Sequence, residues 1–283
     1  MELDDERATN LANWEQRVPL HVASQSYGVQ RFIDDPSRIS EVVAIDRDRL
    51  GDLRGLDAVH LQCHIGTDTV SLARLGARVT GFDFSPTALE AARDLARRSG
   101  TPAQFVRGEM DHALAVLGAE RFDLVYTGVG ALCWLPSMQR WAATVAGLLR
   151  PGGRLFLREG HPVLWSIDEK DGGDDLVVRF PAFGWAGALR WEDPGTYVDG
   201  DVSELTEHVT YSWNHSLSEV IGSLLDAGMR IESFEEHLDL HWEALPGKMV
   251  PGPHPDTWVL ADRPERIPLS YTLSAVKDRE LSR

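Results

Sequence analysis

An α/β fold built on a mostly parallel sheet is what this sequence predicts, and three observations predict it. Short apolar runs alternate with helix-length amphipathic segments between residues 58 and 158. Gly, Pro or a Ser/Thr/Asp cap punctuates the junctions, and strands joined through helices form βαβ units with right-handed crossovers. The rhythm stops over 160–215 and resumes with one helix and two more strands, so the sheet carries an insertion.

Residues 1–55 read as helical and polar, with Trp14, Tyr27 and Phe32 as isolated anchors. Residues 58–63 are a short apolar run ending in a turn, the pattern of a buried strand. Thr67 or Asp68 is expected to cap a helix that runs through Leu75 and stops at Gly76. Residues 78–83 are the second strand. Ser85 and Pro86 open the next helix, because Ser caps and Pro suits the first helical position. Leu89, Ala92 and Leu95 share its apolar face, and Gly100 ends it. Residues 104–107 and 122–127 are strands three and four. A helix over 137–149 runs into the breaker Arg150-Pro-Gly-Gly, and 153–158 is the fifth strand. Inside the insertion, 176–180 and 208–213 are β-like pieces. Ser216-Leu-Ser-Glu219 reads as a capping box for a helix over 219–227, ended by Gly228. Residues 229–234 and 270–276 are the last strands, and no internal repeat is visible.

The chain has 283 residues, enough for about two domains or one with an insertion. With 43% hydrophobic and 25% charged residues it is neither disordered, collagen-like nor a disulfide scaffold. The formal charge of −16 repels phosphate backbones and anionic lipid, so neither nucleic acid nor a membrane surface is an expected partner. Residues 160–215 hold eleven acids against three basic residues, half of that charge. This favours a neutral or cationic small-molecule partner, a solvated acidic surface being the plainer reading. The N-terminus opens acidic without the apolar core of a signal peptide. No apolar run reaches the ~18 residues of a membrane span. The two cysteines, Cys63 and Cys133, are far apart in sequence, which suits a cytoplasmic setting.

In an open α/β sheet ligands bind beyond the carboxyl ends of the strands, where strand order reverses. The residues at those tips are Gln62-Cys-His64-Ile-Gly66, Asp83-Phe84, Gly108-Glu109-Met110-Asp111, Thr127-Gly-Val-Gly130 and Glu159-Gly-His161-Pro162. An acid ending the second strand can accept from both hydroxyls of a ribose, and one after the third can accept from an adenine amino group. A dinucleotide needs a loop that cradles pyrophosphate on three glycines. The first loop has one, so it suits a nucleoside without phosphates better.

These residues resemble the class I, Rossmann-like S-adenosylmethionine (SAM)-dependent methyltransferases. The likeness is carried by 59–69, Val79-Thr-Gly-Phe-Asp-Phe-Ser-Pro-Thr-Ala-Leu-Glu90, Phe105-Val-Arg-Gly-Glu-Met110, Phe122-Asp-Leu-Val-Tyr, Leu148-Leu-Arg-Pro-Gly-Gly-Arg-Leu155 and Ala227-Gly-Met-Arg-Ile231. The resemblance implies a seven-stranded sheet with an antiparallel final strand and helices on both faces. It implies an N-terminal helical cap over 1–55, a SAM-binding domain over 56–159 and 216–283, and an inserted β-rich substrate lid over 160–215. Asp83, with Phe84 beside it, would bind the ribose, and Glu109 and Met110 the adenine. Gln62, Cys63, His64, Gly66 and Thr127 would face the methionine part, with Trp14 in the lid. The sequence departs from the family where its first loop reads Asp-x-Gly-x-Gly-x-Gly: His60 replaces the acid, and Gln62 and His64 the first two glycines.

Each candidate has a plainer reading. Asp83 is otherwise a helix-capping acid, Glu109 an exposed acid, and His64 a loop histidine on a backbone partner. His161, after the fifth strand, is the candidate for contacting the acceptor and taking its proton; Pro162 beside it reads as a structural corner. Tyr27, Trp134 and Trp213 are candidates for an aromatic acceptor pocket, and core packing or a homodimer surface is the other use of these rings. His237 and His241 have helical metal-ligand spacing, but their surroundings read as extended, so no metal site is expected. The function expected is methyl transfer from SAM to a small-molecule O or N acceptor by in-line displacement. An NAD(P)-dependent oxidoreductase and a non-catalytic SAM-binding protein are the alternatives.

Overall fold

The computed structural model describes residues 4–278; the ends of the expected first and last segments, 1–3 and 279–283, lie outside the described residues. Helix α1 (Asp5–Ala23) is capped by Asp4, whose side chain accepts from the Arg7 N–H. Three short helices follow: α2 (Val29–Asp34), α3 (Glu41–Ile45) and α4 (Arg47–Leu50). The alternation then runs β1 (Asp57–Leu61), α5 (Thr67–Arg74), β2 (Arg78–Asp83), α6 (Pro86–Arg98), β3 (Gln104–Arg107), α7 (Ala113–Leu117), β4 (Phe122–Thr127), α8 (Met138–Leu148) and β5 (Leu149–Gly160). The insertion holds α9 (Pro162–Trp165) and the antiparallel pair β6 (Leu189–Glu192) and β7 (Val209–Ser212). Last come α10 (Leu217–Asp226), β8 (Met229–His237), a small pair β9 (Met249–Pro251) and β10 (Trp258–Leu260), and β11 (Ser270–Lys277).

Seven strands form one sheet in the order β3-β2-β1-β4-β5-β11-β8. The first five pair in parallel, and β11 runs antiparallel to both its neighbours. This is the mostly parallel, seven-stranded sheet expected. Strand order reverses between β1 and β4, which opens a crevice at their carboxyl ends. Apolar side chains cover both faces: Trp141 and Val145 of α8 and Val220 and Leu224 of α10 on one, Val43, Leu50 and Leu72 on the other.

Local chemistry accounts for most boundaries. Ser85 caps α6 by accepting from the Ala88 N–H, with Pro86 at the first helical position. Ser216 and Glu219 form the reciprocal capping box that opens α10. Three expectations are corrected. α5 is capped by Gly66 rather than by Thr67 or Asp68. The position needs glycine twice over: its φ is +82°, and a Cβ would fall 2.8 Å from that of Ala92 on α6. Arg150-Pro-Gly-Gly ends the helix as expected but lies inside β5, as a bulge where Leu149 pairs with Phe122 and Arg154 with Leu124. Residues 176–180 supply one bridge, Ile167 to Val178, instead of a strand. The unpredicted β9–β10 region joins Leu164 and Ile167 of the insertion in a common apolar cluster with Leu240, Leu245, Met249 and Leu260.

Candidate active site

The first loop leaves β1 and turns sharply to enter α5. Gln62 and His64 adopt φ of +55° and +50°, the left-handed region that glycine enters freely and other residues enter at ~1 kcal/mol or more each. Gln62 donates from Nε2 to the Ala131 carbonyl at 2.9 Å, while its Oε1 is buried without a partner among the described residues. Cys63 points into the sheet: a Cβ on Gly81 would lie 2.8 Å from its sulfur, and burial pushes the thiol up. Its side chain is thus not in the crevice. His60 is buried too, bonded through Nδ1 to Thr69 Oγ1 at 2.9 Å, and burial holds it down to about 3.

Asp83 ends β2 and is buried. Its Oδ2 accepts from the His64 N–H at 2.8 Å and its Oδ1 from the Ser85 N–H at 2.9 Å. Burial raises its carboxyl to about 6 against these backbone donors. Phe84 follows it, its carbonyl accepting from Arg107 Nε at 3.3 Å. Glu109 is also buried; its Oε2 accepts from the Asp111 N–H at 2.8 Å, and its Oε1 is held by the Arg7 guanidinium of α1. Met110 joins the apolar core beneath. The cavity between Glu109, Met110, Leu135 and Trp141 is about 10 Å³, too small for a base in this closed arrangement.

α1 lies across the crevice and is fastened at several points. Arg7 bonds Glu109 and Asp111, and Glu15 accepts from the Ser85 and Thr87 hydroxyls beside Asp83. Asn10 exchanges a pair of 2.8 Å bonds with the Tyr211 backbone, and Asn13 donates to the Glu207 carbonyl. Arg17, buried and without a carboxylate partner among the described residues, donates to the carbonyls of Asn13, Asp193, Gly195 and Glu207. The helix and the 193–211 stretch of the insertion are thus bonded together over the strand tips.

Between them sits an aromatic cluster. Trp14 packs edge-on against His64 and Trp134, each at 5.3 Å, and against His21 at 5.5 Å. The His21 ring lies 5.4 Å from Tyr27, nearly parallel, and 4.8 Å from Tyr197. His21 Nδ1 is 3.2 Å from His64 Nε2, and its Nε2 is 2.9 Å from Thr196 Oγ1. Burial, helped by Arg17, holds His21 down to about 4; burial and the neighbouring histidines hold His64 down to about 3. Both rings are neutral at neutral pH.

Glu159 shapes the opposite wall. It is buried at the end of β5 and accepts from the N–H groups of Gly130, Ala131, Leu132 and Gly160 at 2.7–2.9 Å. This fixes the turn after β4, whose Thr127 Oγ1 is buried without a partner among the described residues. Trp213 is buried, and its backbone N–H donates to the Cys133 carbonyl of the same turn at 2.8 Å.

The structure brings Trp14, Tyr27, Gln62, His64, Gly66, Asp83, Thr127 and Trp134 to one side of the strand tips. It does not bring His161 there. His161 Nδ1 caps α9 by accepting from the Val163 N–H at 3.1 Å, and its Nε2 lies 3.0 Å from Glu236 on β8. Its ring packs edge-on against Tyr271, toward the other edge of the sheet. Among the described residues no cluster of three or more metal-binding side chains occurs. No helix there is long and apolar enough to cross a membrane.

Arg7, Glu15, Arg17, His21 and Tyr197 escape a reading of the sequence, which names Glu159 only as a strand-tip residue. One signal exists: Asn10, Asn13, Arg17 and His21 recur at helical spacing along α1 and are all buried. They are polar, so hydrophobic periodicity does not register them.

Comparison with known proteins agrees with this fold. A family model described as a methyltransferase domain matches residues 58–153. Ubiquinone biosynthesis O-methyltransferase of Methylobacterium sp. (strain 4-46) is 37% identical over 150 residues, covering 52% of this chain and 57% of that one. The protein of that name from Salmonella arizonae is 33% identical over 170 residues, covering 58% and 67%. An uncharacterized methyltransferase of Bacillus subtilis, YbaJ, is 26% identical over 201 residues, covering 70% and 75%. The chain spans a little over half the length of the Methylobacterium relatives. Among solved structures, an S-adenosylmethionine-dependent methyltransferase from Mesorhizobium loti superposes with a TM-score of 0.53 at 21% identity, covering 83% of this chain and 97% of that one. One from Clostridium acetobutylicum gives 0.54 at 13%, covering 84% and 90%. At these identities the likeness is one of fold.

Proposed function

This chain belongs to the class I S-adenosylmethionine-dependent methyltransferases, and from that membership we propose that it transfers a methyl group from SAM to an oxygen or nitrogen of a small molecule. The observation that carries this reading is the set of polar atoms converging at the strand tips. Asp83 presents a buried carboxylate at the end of β2, and Gln62 Oε1 on the first loop and Thr127 Oγ1 at the end of β4 are buried without partners among the described residues. Orphaned buried oxygens are costly, and a polar ligand at the crevice satisfies them. These residues fit SAM: Asp83 for the ribose, Gln62, Thr127 and the backbone of 62–66 for the methionine part. Glu109 would take the adenine amino group after parting from Arg7. When bound, SAM supplies an electrophilic methyl on a sulfonium. The chain's own contribution is to hold ribose and adenine fixed, to align the acceptor, and to exclude water with α1 and the 193–211 stretch.

The acceptor we infer is a small molecule rather than nucleic acid, since a formal charge of −16 disfavours a polyanion. The names of the relatives above favour oxygen as the methylated atom. A cytoplasmic location is in keeping with two free cysteines. A homodimer is tested by sedimentation, with exposed Phe183 and Trp185 as the surface to mutate. The second reading, SAM binding without turnover, is motivated by His60, Gln62 and His64 in place of the family's acid and glycines.

Calorimetric titration of one preparation with SAM, S-adenosylhomocysteine and NAD tests the cofactor. Binding of both adenosyl ligands is expected; NAD binding without a response to either overturns the proposal. Transfer of labelled methyl to a panel of phenols, amines and carboxylates separates turnover from binding alone.

A further inference from the structure

The hydroxyl of Tyr197 enters the aromatic cluster from the insertion and meets two polar atoms. It bonds the Tyr27 hydroxyl and lies 3.4 Å from His21 Nδ1. Yet the residue is 58% exposed and sits in an irregular stretch between β6 and β7. A side chain this exposed can swing outward with little loss of packing. What it leaves is a slot of its own shape, flanked by the rings of Trp14, His21 and Tyr27 at 6.4, 4.8 and 6.4 Å. At the inner end of that slot stands a partner for a hydroxyl group, next to His64 of the first loop.

Resting on the methyl-transfer reading above, we propose that Tyr197 occupies the place of a phenolic acceptor and that His21 takes the acceptor's proton. The ring is set for that role. With Nε2–H donated to Thr196 Oγ1, Nδ1 carries a lone pair directed toward His64 and the Tyr197 hydroxyl. In the transfer, a lone pair of the acceptor oxygen forms the new O–CH₃ bond while the S–CH₃ bond breaks toward sulfur. The O–H electrons stay on oxygen, and the proton passes to His21 Nδ1. The groups facing His21 are Arg17 on its own helix, His64 on the first loop, Tyr27 after α1, and Thr196 and Tyr197 on the insertion. Burial and Arg17 keep the imidazole neutral at neutral pH, so Nδ1 accepts the hydrogen bond of the acceptor hydroxyl and takes its proton only as the O–CH₃ bond forms and makes that proton strongly acidic. Tyr27 OH is the second partner of the acceptor hydroxyl, and the aromatic walls select a planar ring.

The test uses 4-nitrophenol, whose ionised form absorbs visible light, added to the full chain saturated with S-adenosylhomocysteine. The bound probe is expected to ionise at least one pH unit above the free probe in the wild type, because the slot is buried and the His21 lone pair holds the O–H form. His21→Asn is expected to shrink that shift while S-adenosylhomocysteine affinity stays within about twofold. Tyr197→Ala is expected to tighten the probe at least threefold, because it removes an internal competitor; a merely structural Tyr197 predicts weaker binding. Should His21→Asn fail to bind S-adenosylhomocysteine, His21→Gln is read in the same way. An unshifted probe in the wild type, an equal shift in both His21 variants, or unchanged or weaker binding to Tyr197→Ala overturns the proposal. S-adenosylhomocysteine binding with any of these outcomes removes this inference alone; its failure to bind the wild type removes the methyl-transfer reading as well.

Discussion

The His64 backbone N–H donates to Asp83 Oδ2 at 2.8 Å, so the turn after β1 and the acid ending β2 form one unit. Asp83 therefore serves both the loop's path and the proposed ribose contact. Asp83→Ala removes both and should weaken SAM at least tenfold, while Asp83→Asn keeps part of the loop bond and loses less. Calorimetry on the two variants checks this, and unchanged affinity in Asp83→Ala removes the assigned role.

Stability should fall as pH drops below about 6.5. His21 and His60 are buried and held down to about 4 and about 3, below their unfolded value of 6.5. Their contribution is complete above that value and is lost progressively as pH falls from it toward the folded values, because the unfolded chain takes up protons that the fold refuses. At about pH 5 each costs ~2 kcal/mol. Asp83 acts in the opposite sense: burial raises it to about 6, and protonation below that pH relieves the fold by ~1 kcal/mol at about pH 5. The histidines win. Urea unfolding across this range should show the loss, and His60→Gln should flatten it; stability rising toward pH 5 contradicts the assignment.

Arg7 holds the Glu109 carboxylate that we assign to adenine. Arg7→Ala should speed S-adenosylhomocysteine association severalfold and speed its release as well, since α1 then covers the site less firmly. Stopped-flow fluorescence from Trp14 and Trp134 reads both rates. An unchanged association rate shows that this ion pair does not gate entry.

Glu159 is buried on four backbone N–H groups, three of them from the turn after β4. Glu159→Ala leaves those donors unpaired and should cost ~3–5 kcal/mol, with Glu159→Gln losing less. Equilibrium unfolding measures the cost. A loss below 1 kcal/mol in the Ala variant means the turn is fixed by something else.

The sheet was legible because its signals are local. Apolar runs, the Ser85-Pro86 start and the Ser216/Glu219 box each act within a few residues, and the structure retains all of them. Asp83 and Glu109 were legible as tip residues because each stands where an apolar run ends. His161 shows where this stops. Its place after β5 follows from sequence, but its direction follows from Val163, Glu236 and Tyr271, which turn it away from the aromatic cluster.

The sequence by itself determined the α/β alternation, the capped helix starts and the acids that end the strands. These depend on backbone propensity and side-chain period, which are short-range. Only the tertiary structure decided that α1 lies over the crevice, that Arg17 ties it to backbone carbonyls almost two hundred positions away, and that His21, His64 and Tyr197 meet. Those contacts are polar and join distant stretches of chain. A buried polar residue is stable only where its partners arrive, and no periodicity records which partners will.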